Sequence, residues 1–215
     1  MPWPRQPPTP FTQARRETPQ GLRPSRRTDT TACTNEYTAQ PMITIRPATP
    51  SDLPAVAAIY GHHVRHGTGT FETEPPSEAD MQQRWQDVQA KGLPWLVLCE
   101  ADQVMGFAYA NWFKPRPAYR YSAEDSIYLH PQAAGRGWGR CLLAELLAQL
   151  QRRGVRQVLA VIGDANNHGS VGLHRALGFQ HSGVLANAGW KFDQWLDVVL
   201  MQKTLGAGSS TPPKD

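Results

Sequence analysis

The pattern of hydrophobic and polar positions predicts a chain in which short strands alternate with amphipathic helices. Period-two alternation marks the strands, and apolar residues three and four positions apart mark the helices. Ser77 and Asp80 have the spacing of a capping box, so we expect them to open the second helix. The predicted elements are, in order, strand 42–47, a helix from Ser51 or Asp52 to Gly67, helix 77–91, strands 95–100 and 104–112, strand 126–129, a helix that follows Gly139 and ends near Gly154, strand 157–162, helix 167–177, and strands 179–185 and 192–203.

This order of elements predicts an α/β fold built on a mixed sheet. One strand-helix-strand crossover lies in the middle of the chain, whereas neighbouring strands elsewhere favour hairpins. The strand over 157–162 is almost continuously apolar, so we expect it to be buried on both faces. The helix after Gly139 has one apolar face, formed by Leu142, Leu143, Leu146, Leu147 and Leu150.

Three glycines at alternate positions join a strand to that leucine-lined helix. Gly135, Gly137 and Gly139 follow the strand over 126–129 and the turn at Pro131. The first N–H groups of a helix lack partners and carry a partial positive charge, so this turn predicts an anion site. The segment contains no lysine and therefore no P-loop, and the spacing does not match the G-x-G-x-x-G dinucleotide pattern. A glycine turn that serves only chain reversal remains the alternative.

Length and composition predict one domain over residues 42–205. The 215-residue chain is 40% hydrophobic, and no apolar run approaches the roughly 18 residues of a membrane span. We expect residues 1–41, which are rich in proline and arginine, to be disordered, and residues 206–215 to be a flexible tail. Met42 is then the functional start. Cys33, Cys99 and Cys141 lie far apart, which predicts buried reduced thiols and a cytoplasmic location.

The net charge of +4 does not predict a nucleic-acid partner. Residues 1–41 hold six arginines against three acidic residues, a balance of +3. The rest of the chain holds the remaining 16 basic and 15 acidic residues, a balance of +1. The domain is therefore nearly neutral and lacks the excess of positive charge that a nucleic-acid face requires.

The glycine turn and four further segments resemble the GNAT superfamily of N-acetyltransferases. Ala134–Gly139 matches its pyrophosphate loop, although Ala134 stands where the family usually has Gln or Arg. The segments Phe71–Ser77, Pro115–Pro131, Asn167–Phe179 and Gly189–Lys203 resemble the phosphinothricin and methionine-sulfoximine acetyltransferase branch. The resemblance covers residues 42–205. It implies the GNAT fold, acetyl-CoA as co-substrate, an amine as acceptor and a homodimer.

The same resemblance implies the residues that bind the coenzyme and carry out the chemistry. Amide groups at the end of the central strand would polarise the thioester carbonyl. Glu124 would take the proton of the amine, because a protonated amine has no lone pair, and His174 would protonate the thiolate. The alternatives are a charged strand end, with Asp125 as a structural partner, and a packed helix histidine. The predicted coenzyme residues are Ile127, Tyr128, Leu129, Gly135, Arg136, Gly137, Trp138, Gly139, Arg140, Asn167 and Ser170.

Substrate choice is expected in two segments that precede the proposed base. Arginine pairs with carboxylate, phosphinate or sulfone oxygens through its planar fork, so two nearby arginines suit an anionic amino acid analogue. The predicted substrate residues are Phe71, Glu72, Arg116, Tyr119 and Arg120. No metal site is predicted, because the histidines of the first helix have no acidic or cysteine partners at metal-site spacing. Two other functions stay open: acetylation of peptide N-termini, and a non-catalytic acyl-CoA sensor.

Overall fold

A computed structural model describes residues 43–213 of the chain. The predicted disordered tail and the start at Met42 lie outside these residues, and so do the last two residues of the C-terminal tail. The domain boundaries therefore stay predictions. The strands are β1 (Ile43–Pro47), β2 (Trp95–Glu100), β3 (Gln103–Trp112), β4 (Ser122–Leu129), β5 (Gln157–Gly163), β6 (Gln180–Lys191) and β7 (Gln194–Thr204), and the helices are α1 (Leu53–His66), α2 (Glu78–Ala90), α3 (Trp138–Arg152) and α4 (His168–Ala176).

The strands form one seven-stranded mixed sheet, which confirms the predicted fold class. Their order across the sheet is β1-β2-β3-β4-β5-β7-β6. Only β4 and β5 are parallel, and α3 is the crossover that connects them. All other neighbouring pairs are antiparallel. The crossover places the ends of β4 and β5 and the start of α3 at the same edge of the sheet.

Helices cover both faces of the sheet, and adjacent residues of β4 show which helix lies on which face. Tyr128 packs edge-on against Tyr60 of α1. Leu129, the next residue, contacts Gly139 of α3. Because successive strand residues point to opposite faces, α1 lies on one face and α3 on the other.

The leucine face of α3 forms the centre of the core on its side of the sheet. Leu142, Leu143, Leu146 and Leu150 are fully buried, as the spacing predicts. Burying one such side chain contributes about 1.5–3 kcal/mol relative to leaving it in water. Cys141 is an error of the sequence prediction, because it is exposed rather than buried. It lies on the outer side of α3 with Ala144, which is also exposed.

Of the two helix starts predicted from capping residues, that of α2 is capped as predicted and that of α1 is not. Ser77 and Asp80 form the predicted capping box of α2. Asp52 precedes α1, but its carboxylate does not cap that helix. It binds the guanidinium of Arg46 at 2.7 and 2.8 Å and the backbone N–H of Thr49 at 2.7 Å. The pKa of Asp52 is lowered to about 2, chiefly by the hydrogen bond from Arg46.

Two strand predictions are wrong in detail. The strand β5 is not buried on both faces: Val158, Ala160 and Ile162 are buried, but Val161 is exposed. Val161 borders an opening in the sheet, so its face has no covering layer there. The strand β6 continues to Lys191, past its predicted end at residue 185, and turns into β7 through two residues. Within residues 43–213, no helix is long and apolar enough to cross a membrane.

Candidate active site

The parallel strands β4 and β5 separate halfway along their length. They pair only over Ser122–Asp125 and Gln157–Ala160. Beyond this point β4 continues to Leu129 with β3 as its neighbour, and β5 continues to Gly163 beside β7. The backbone groups of residues 126–129 on the β5 side therefore face an opening instead of a strand. The end of β4, where the resemblance places the amides that polarise the thioester carbonyl, is therefore splayed away from β5.

The start of α3 lies at this opening and presents backbone amides to it. Gly135 and Gly137 have φ of +76° and +75°, a left-handed conformation that glycine adopts without strain. A Cβ at either residue would contact no described atom within 4 Å, so the loop is open on that side. No side chain among the described residues caps the helix. Its free N–H groups and partial positive charge suit the diphosphate of a coenzyme.

The strand opening and the helix start line one cleft with a volume of about 700 Å³. Pockets for organic ligands have volumes of about 300–1,000 Å³. His174 and all the predicted coenzyme residues except Arg136 line this cleft. The tertiary structure thus brings together residues from β4, the glycine loop, α3 and α4.

The side chain of Arg136 points away from the cleft that the other predicted coenzyme residues line. Its guanidinium donates to the Glu100 carboxylate at 3.0 Å and covers the Trp138 ring at 4.6 Å from the ring centre. The side chain is therefore engaged with β2 and α3 at the outer side of the loop.

The start of α4 forms the opposite wall of the cleft. The Asn167 side chain accepts a hydrogen bond from the Ser170 backbone N–H at 3.1 Å, so Asn167 caps this helix. The loop after α1 crosses to this wall: the Thr68 hydroxyl donates to Asp164 at 2.6 Å, and Gly69 lies against the Asn167 amide. Residues 67–69 consequently cover one side of the cleft.

His63 is a cleft residue that sequence reasoning missed. Nε2 of His63 lies 2.8 Å from the carbonyl oxygen of Leu129, at the end of β4. Burial lowers the pKa of His63, which favours the neutral ring. In the sequence, His63 was one of several histidines on a helix, and nothing marked it as the one that reaches β4. Among residues 43–213, no group of three His, Cys, Asp or Glu side chains could hold a metal ion.

His174 forms a buried pair with Asp125. Their side chains are 3% and 1% exposed, and Nε2 of His174 lies 3.0 Å from Oδ2 of Asp125. Nδ1 of His174 lies 2.7 Å from the Ser170 carbonyl oxygen, and the ring edge packs on Phe179. Burial alone would lower the pKa of His174, but the hydrogen bond and charge of Asp125 outweigh burial, and the pKa is raised.

Glu124 lies on the other face of β4. It pairs with Asn111 of β3, in the row that also holds Ser126 and Tyr128, so its side chain projects towards the α1 side. Glu124 is half-buried and does not line the coenzyme cleft. Burial, and then the charge of Asp125, raise its pKa above the ordinary value for glutamate. A carboxyl with a raised pKa is a better proton acceptor at neutral pH.

Phe71 and Glu72 are held in place by contacts on this α1 side. The Phe71 ring fits against Gly163 and Gly189, where a Cβ would come within 2.9 and 2.2 Å of it. The Glu72 carboxylate accepts hydrogen bonds from the Tyr60 hydroxyl at 2.9 Å and from Arg84 at 2.7 and 3.2 Å. Glu72 is therefore half of an ion pair rather than an isolated charge.

Arg84 and Lys191 support the loop over residues 67–72, which we call the acceptor loop, and the sequence assigned a chemical role to neither residue. Lys191 is 3% exposed, and its ammonium group donates to the carbonyl oxygens of Gly67 and Thr70, both at 2.8 Å. Burial lowers its pKa. Arg84 follows Asp80 at helical spacing, which in a sequence indicates an ordinary surface pair. Only the fold brings these cations to the loop after α1.

The remaining predicted substrate residues lie on an exposed loop between β3 and β4. Arg116, Tyr119 and Arg120 are all exposed. Tyr119 packs edge-on against Phe113, and the guanidinium of Arg120 covers the Tyr121 ring. The role of these three residues in binding the substrate stays a prediction.

Comparison with known proteins agrees with this geometry. Residues 57–179, more than half of the chain, match the model of the acetyltransferase (GNAT) family. The matched range includes the splayed strand, the glycine loop, α3 and α4. Phosphinothricin N-acetyltransferase of Alcaligenes faecalis is 47% identical over 171 residues, which are 80% of this chain and 87% of that protein.

Two further proteins resemble about four-fifths of the chain. An L-methionine sulfoximine/L-methionine sulfone acetyltransferase of Pseudomonas paraeruginosa is 37% identical over 171 residues, 78% of this chain and 98% of that protein. The crystal structure of a GNAT superfamily phosphinothricin acetyltransferase from Sinorhizobium meliloti, in complex with AcCoA, has a TM-score of 0.79 and 44% identity. That similarity covers 80% of this chain and 94% of the other.

Proposed function

This chain belongs to the acetyltransferase (GNAT) family, and we propose that its acceptor is an amino acid analogue of the phosphinothricin, methionine sulfoximine or methionine sulfone type. It is an acetyl-CoA-dependent N-acetyltransferase that acts on small amino-acid-like substrates. The observation that carries this function is the cleft, because it joins the opening between β4 and β5 to the uncapped start of α3.

Coenzyme binding assigns a separate task to each part of the cleft. The amides of the loop from Gly135 to Arg140 hold the diphosphate, and Asn167 and Ser170 contact the arm from the α4 side. The free backbone groups of Ile127–Leu129 orient the arm and polarise the thioester carbonyl, as an oxyanion hole does. Most of this site is backbone, so it tolerates Ala134 in place of the usual Gln or Arg.

Glu124 acts as the base that deprotonates the attacking amine, directly or through water. It lies on the face of the sheet that carries the acceptor loop, and its raised pKa suits a proton acceptor near neutrality. Phe71 and Glu72 shape this side of the site, and Arg116, Tyr119 and Arg120 contact the anionic part of the substrate from their loop.

The amine attacks the thioester directly within a ternary complex. Cys99 is buried in β2 and Cys141 is exposed on α3, and neither lines the cleft, so neither provides a nucleophile for an acyl-enzyme. His174, paired with Asp125, supplies the proton that the departing thiolate accepts.

The chain acts as a cytoplasmic homodimer. The two described cysteines are both free, which suits a reducing compartment. The edge strand β6 and its turn into β7 expose large apolar side chains, and a second copy of the chain would bury them. These residues are Val184, Leu185, Trp190, Phe192 and Trp195.

A thiol-release assay across a panel of amines tests this function. Wild-type protein and Glu124→Gln are compared with methionine sulfone, methionine sulfoximine, phosphinothricin, common amino acids and a peptide with a free N-terminus. We expect turnover of the analogues, and a fall in kcat of about 100-fold or more in the variant, since general bases contribute about 10²–10⁴-fold. Acetyl-CoA affinity should not change, because Glu124 is outside the coenzyme cleft.

The pH dependence of the wild-type enzyme sharpens this test. A base must be deprotonated to act, so kcat/KM should fall as the pH drops through the pKa of Glu124. Because this pKa is raised, the fall should begin at a higher pH than for an ordinary glutamate. Faster turnover of the peptide would favour N-terminal acetylation. Binding of acetyl-CoA without turnover of any amine would favour a sensor and contradict the proposal.

A further inference from the structure

The hydrogen-bond partners of His174 determine where its protons lie. Nδ1 lies 2.7 Å from the Ser170 carbonyl oxygen, which can only accept a hydrogen bond, so Nδ1 carries a proton. Nε2 lies 3.0 Å from Oδ2 of Asp125. If Asp125 is ionised and Nε2 is bare, two lone pairs face each other in a buried site. The pair therefore keeps a second proton, between Nε2 and Oδ2.

Neither ring nitrogen of His174 is available to a ligand in the cleft. Both are engaged with protein atoms, and the residue is 2% exposed. A direct proton transfer from the imidazole to sulfur would require the ring to break one of these bonds. This geometry argues against a direct proton transfer from His174 to the thiolate, which is the simplest form of the role predicted from the sequence.

Asp125 has the free atom that His174 lacks. Its Oδ1 is buried and has no hydrogen-bond partner among the described residues; the side chain is 1% exposed, and the residue lines the cleft. Buried carboxylate oxygens are nearly always hydrogen-bonded, so an unpaired one indicates a ligand or a functional role. Asp125 is also the last residue of β4 that pairs with β5, and it faces Ala160 where the strands separate.

We propose that the buried Asp125–His174 pair stores the proton for the leaving thiolate, and that Asp125 is the member of the pair that delivers it. This proposal rests on the proposed role of His174 as the source of that proton. When the C–S bond breaks, its electron pair goes to sulfur, and sulfur takes a proton from the Asp125 carboxyl group. Asp125 receives this proton on Oδ2 from Nε2 of His174, and a turn of the carboxyl group about the Cβ–Cγ bond brings the protonated oxygen to the unpaired position that Oδ1 occupies.

The proton balance closes over the whole reaction. The protonated amine loses two protons: Glu124 takes the first before the attack, and the second leaves to solvent when the tetrahedral adduct becomes the amide. The thiolate gains one proton from the Asp125–His174 pair. The step leaves a neutral His174 and an ionised Asp125. After product release, exchange with solvent removes the proton from Glu124 and returns one to the Asp125–His174 pair. The raised pKa of His174, caused by the hydrogen bond and charge of Asp125, agrees with a second proton held by the pair.

Asp125→Asn is the matched variant, because it removes the stored proton and keeps the shape of the pair. The asparagine amide donates to Nε2, and Nδ1 continues to donate to Ser170. We expect kcat to fall about 30-fold or more, with the acetyl-CoA KM changed by less than about threefold, as for loss of a general acid. In ¹⁵N NMR, the His174 ring should be doubly protonated at pH 7 in the wild type and neutral in the variant.

The pH profile provides a readout that a purely structural role would not affect. A stored proton is lost as the pH rises, so wild-type kcat should fall on the alkaline side, and Asp125→Asn should lack this fall. Glu124 is the nearby charged group on β4 and governs the acidic side. The other groups around the pair, which are Ala110 of β3, Ala160 of β5, Ser170 of α4 and Phe179, do not titrate.

The outcomes separate this proposal from the proposed function. A kcat within about threefold of the wild type in Asp125→Asn overturns the delivery by Asp125. The base assignment then still depends on the result for Glu124→Gln. If Asp125→Asn does not fold, ¹⁵N NMR of the His174 ring in the wild-type protein tests the proposal instead. A doubly protonated ring at pH 7 supports the stored proton, and a singly protonated ring overturns it.

Discussion

The part of the site that we propose binds the coenzyme (the coenzyme half) and the part that we propose binds the amine (the acceptor half) are built in different ways. The coenzyme half consists mainly of backbone from one continuous stretch of chain, from the end of β4 through the glycine loop to the start of α3. The acceptor half consists of side chains from separate elements. They include Glu72 after α1, Arg84 of α2, Glu124 of β4 and Lys191 of β6.

This difference explains why the two halves carry different amounts of sequence information. A backbone site needs glycines at fixed spacing, and these can be recognised in the chain. A side-chain site needs only that ordinary residues meet, and their partners follow from the fold. We therefore expect variants of the two halves to be separable: coenzyme variants should alter acetyl-CoA affinity, and acceptor variants should alter use of the amine.

Among three substitutions outside the proposed catalytic residues, the largest effect is expected from Gly189→Ala in the acceptor half. The added Cβ would lie 2.2 Å from the Phe71 ring, so the ring and its loop must move. We expect kcat/KM for the amine to fall about 100-fold, because small displacements of positioning groups are costly in catalysis. Acetyl-CoA affinity, measured by calorimetry, should change by less than about threefold.

A second-site variant and a control make this result specific. In a Phe71→Ala background the clash is absent, so Gly189→Ala should add little further loss. Gly172→Ala places a methyl group in open space on α4 and should leave the amine kinetics unchanged. An equal loss of activity from Gly189→Ala with and without the Phe71 ring would contradict the packing explanation.

On the coenzyme half, Gly137→Ala should weaken acetyl-CoA binding by about tenfold. The left-handed conformation at φ +75° costs an alanine about 1–2 kcal/mol, and the methyl group narrows the approach to the amides. Gly92→Ala is the matched control, because Gly92 has φ +68° and similar open space at the end of α2. Both variants should lower the melting temperature, but only Gly137→Ala should alter coenzyme affinity.

The smallest of the three effects is expected from Arg84→Met. Its side chain is 38% exposed, and Glu72 keeps its hydrogen bond from Tyr60, so the loop loses one support of several. We expect the KM for the amine to rise about fivefold, with acetyl-CoA affinity unchanged. Arg152→Met breaks a comparable exposed pair with Glu145 on α3 and should change neither constant. A change in acetyl-CoA affinity with Arg84→Met would show that the two halves are coupled.

The sequence predicted most of the elements because their boundaries depend on local chemistry. The capping box of Ser77 and Asp80 begins α2, and the leucine spacing fixes the buried face of α3. The predictions that β5 is buried on both faces and that Cys141 is buried were wrong, because composition does not show which neighbouring element covers a surface. An apolar strand beside an opening and an apolar strand in a closed sheet have the same sequence pattern.

The sequence by itself determined the glycine loop, the order of the elements and the family to which the chain belongs. These features are local or linear, since backbone conformation and amphipathic spacing depend on residues close together in the chain. Only the tertiary structure decided that β4 and β5 separate after Asp125, that Arg84 pairs with Glu72, and that Asp125 meets His174 in a buried site. Contacts between distant residues depend on packing geometry, which spacing along the chain does not specify.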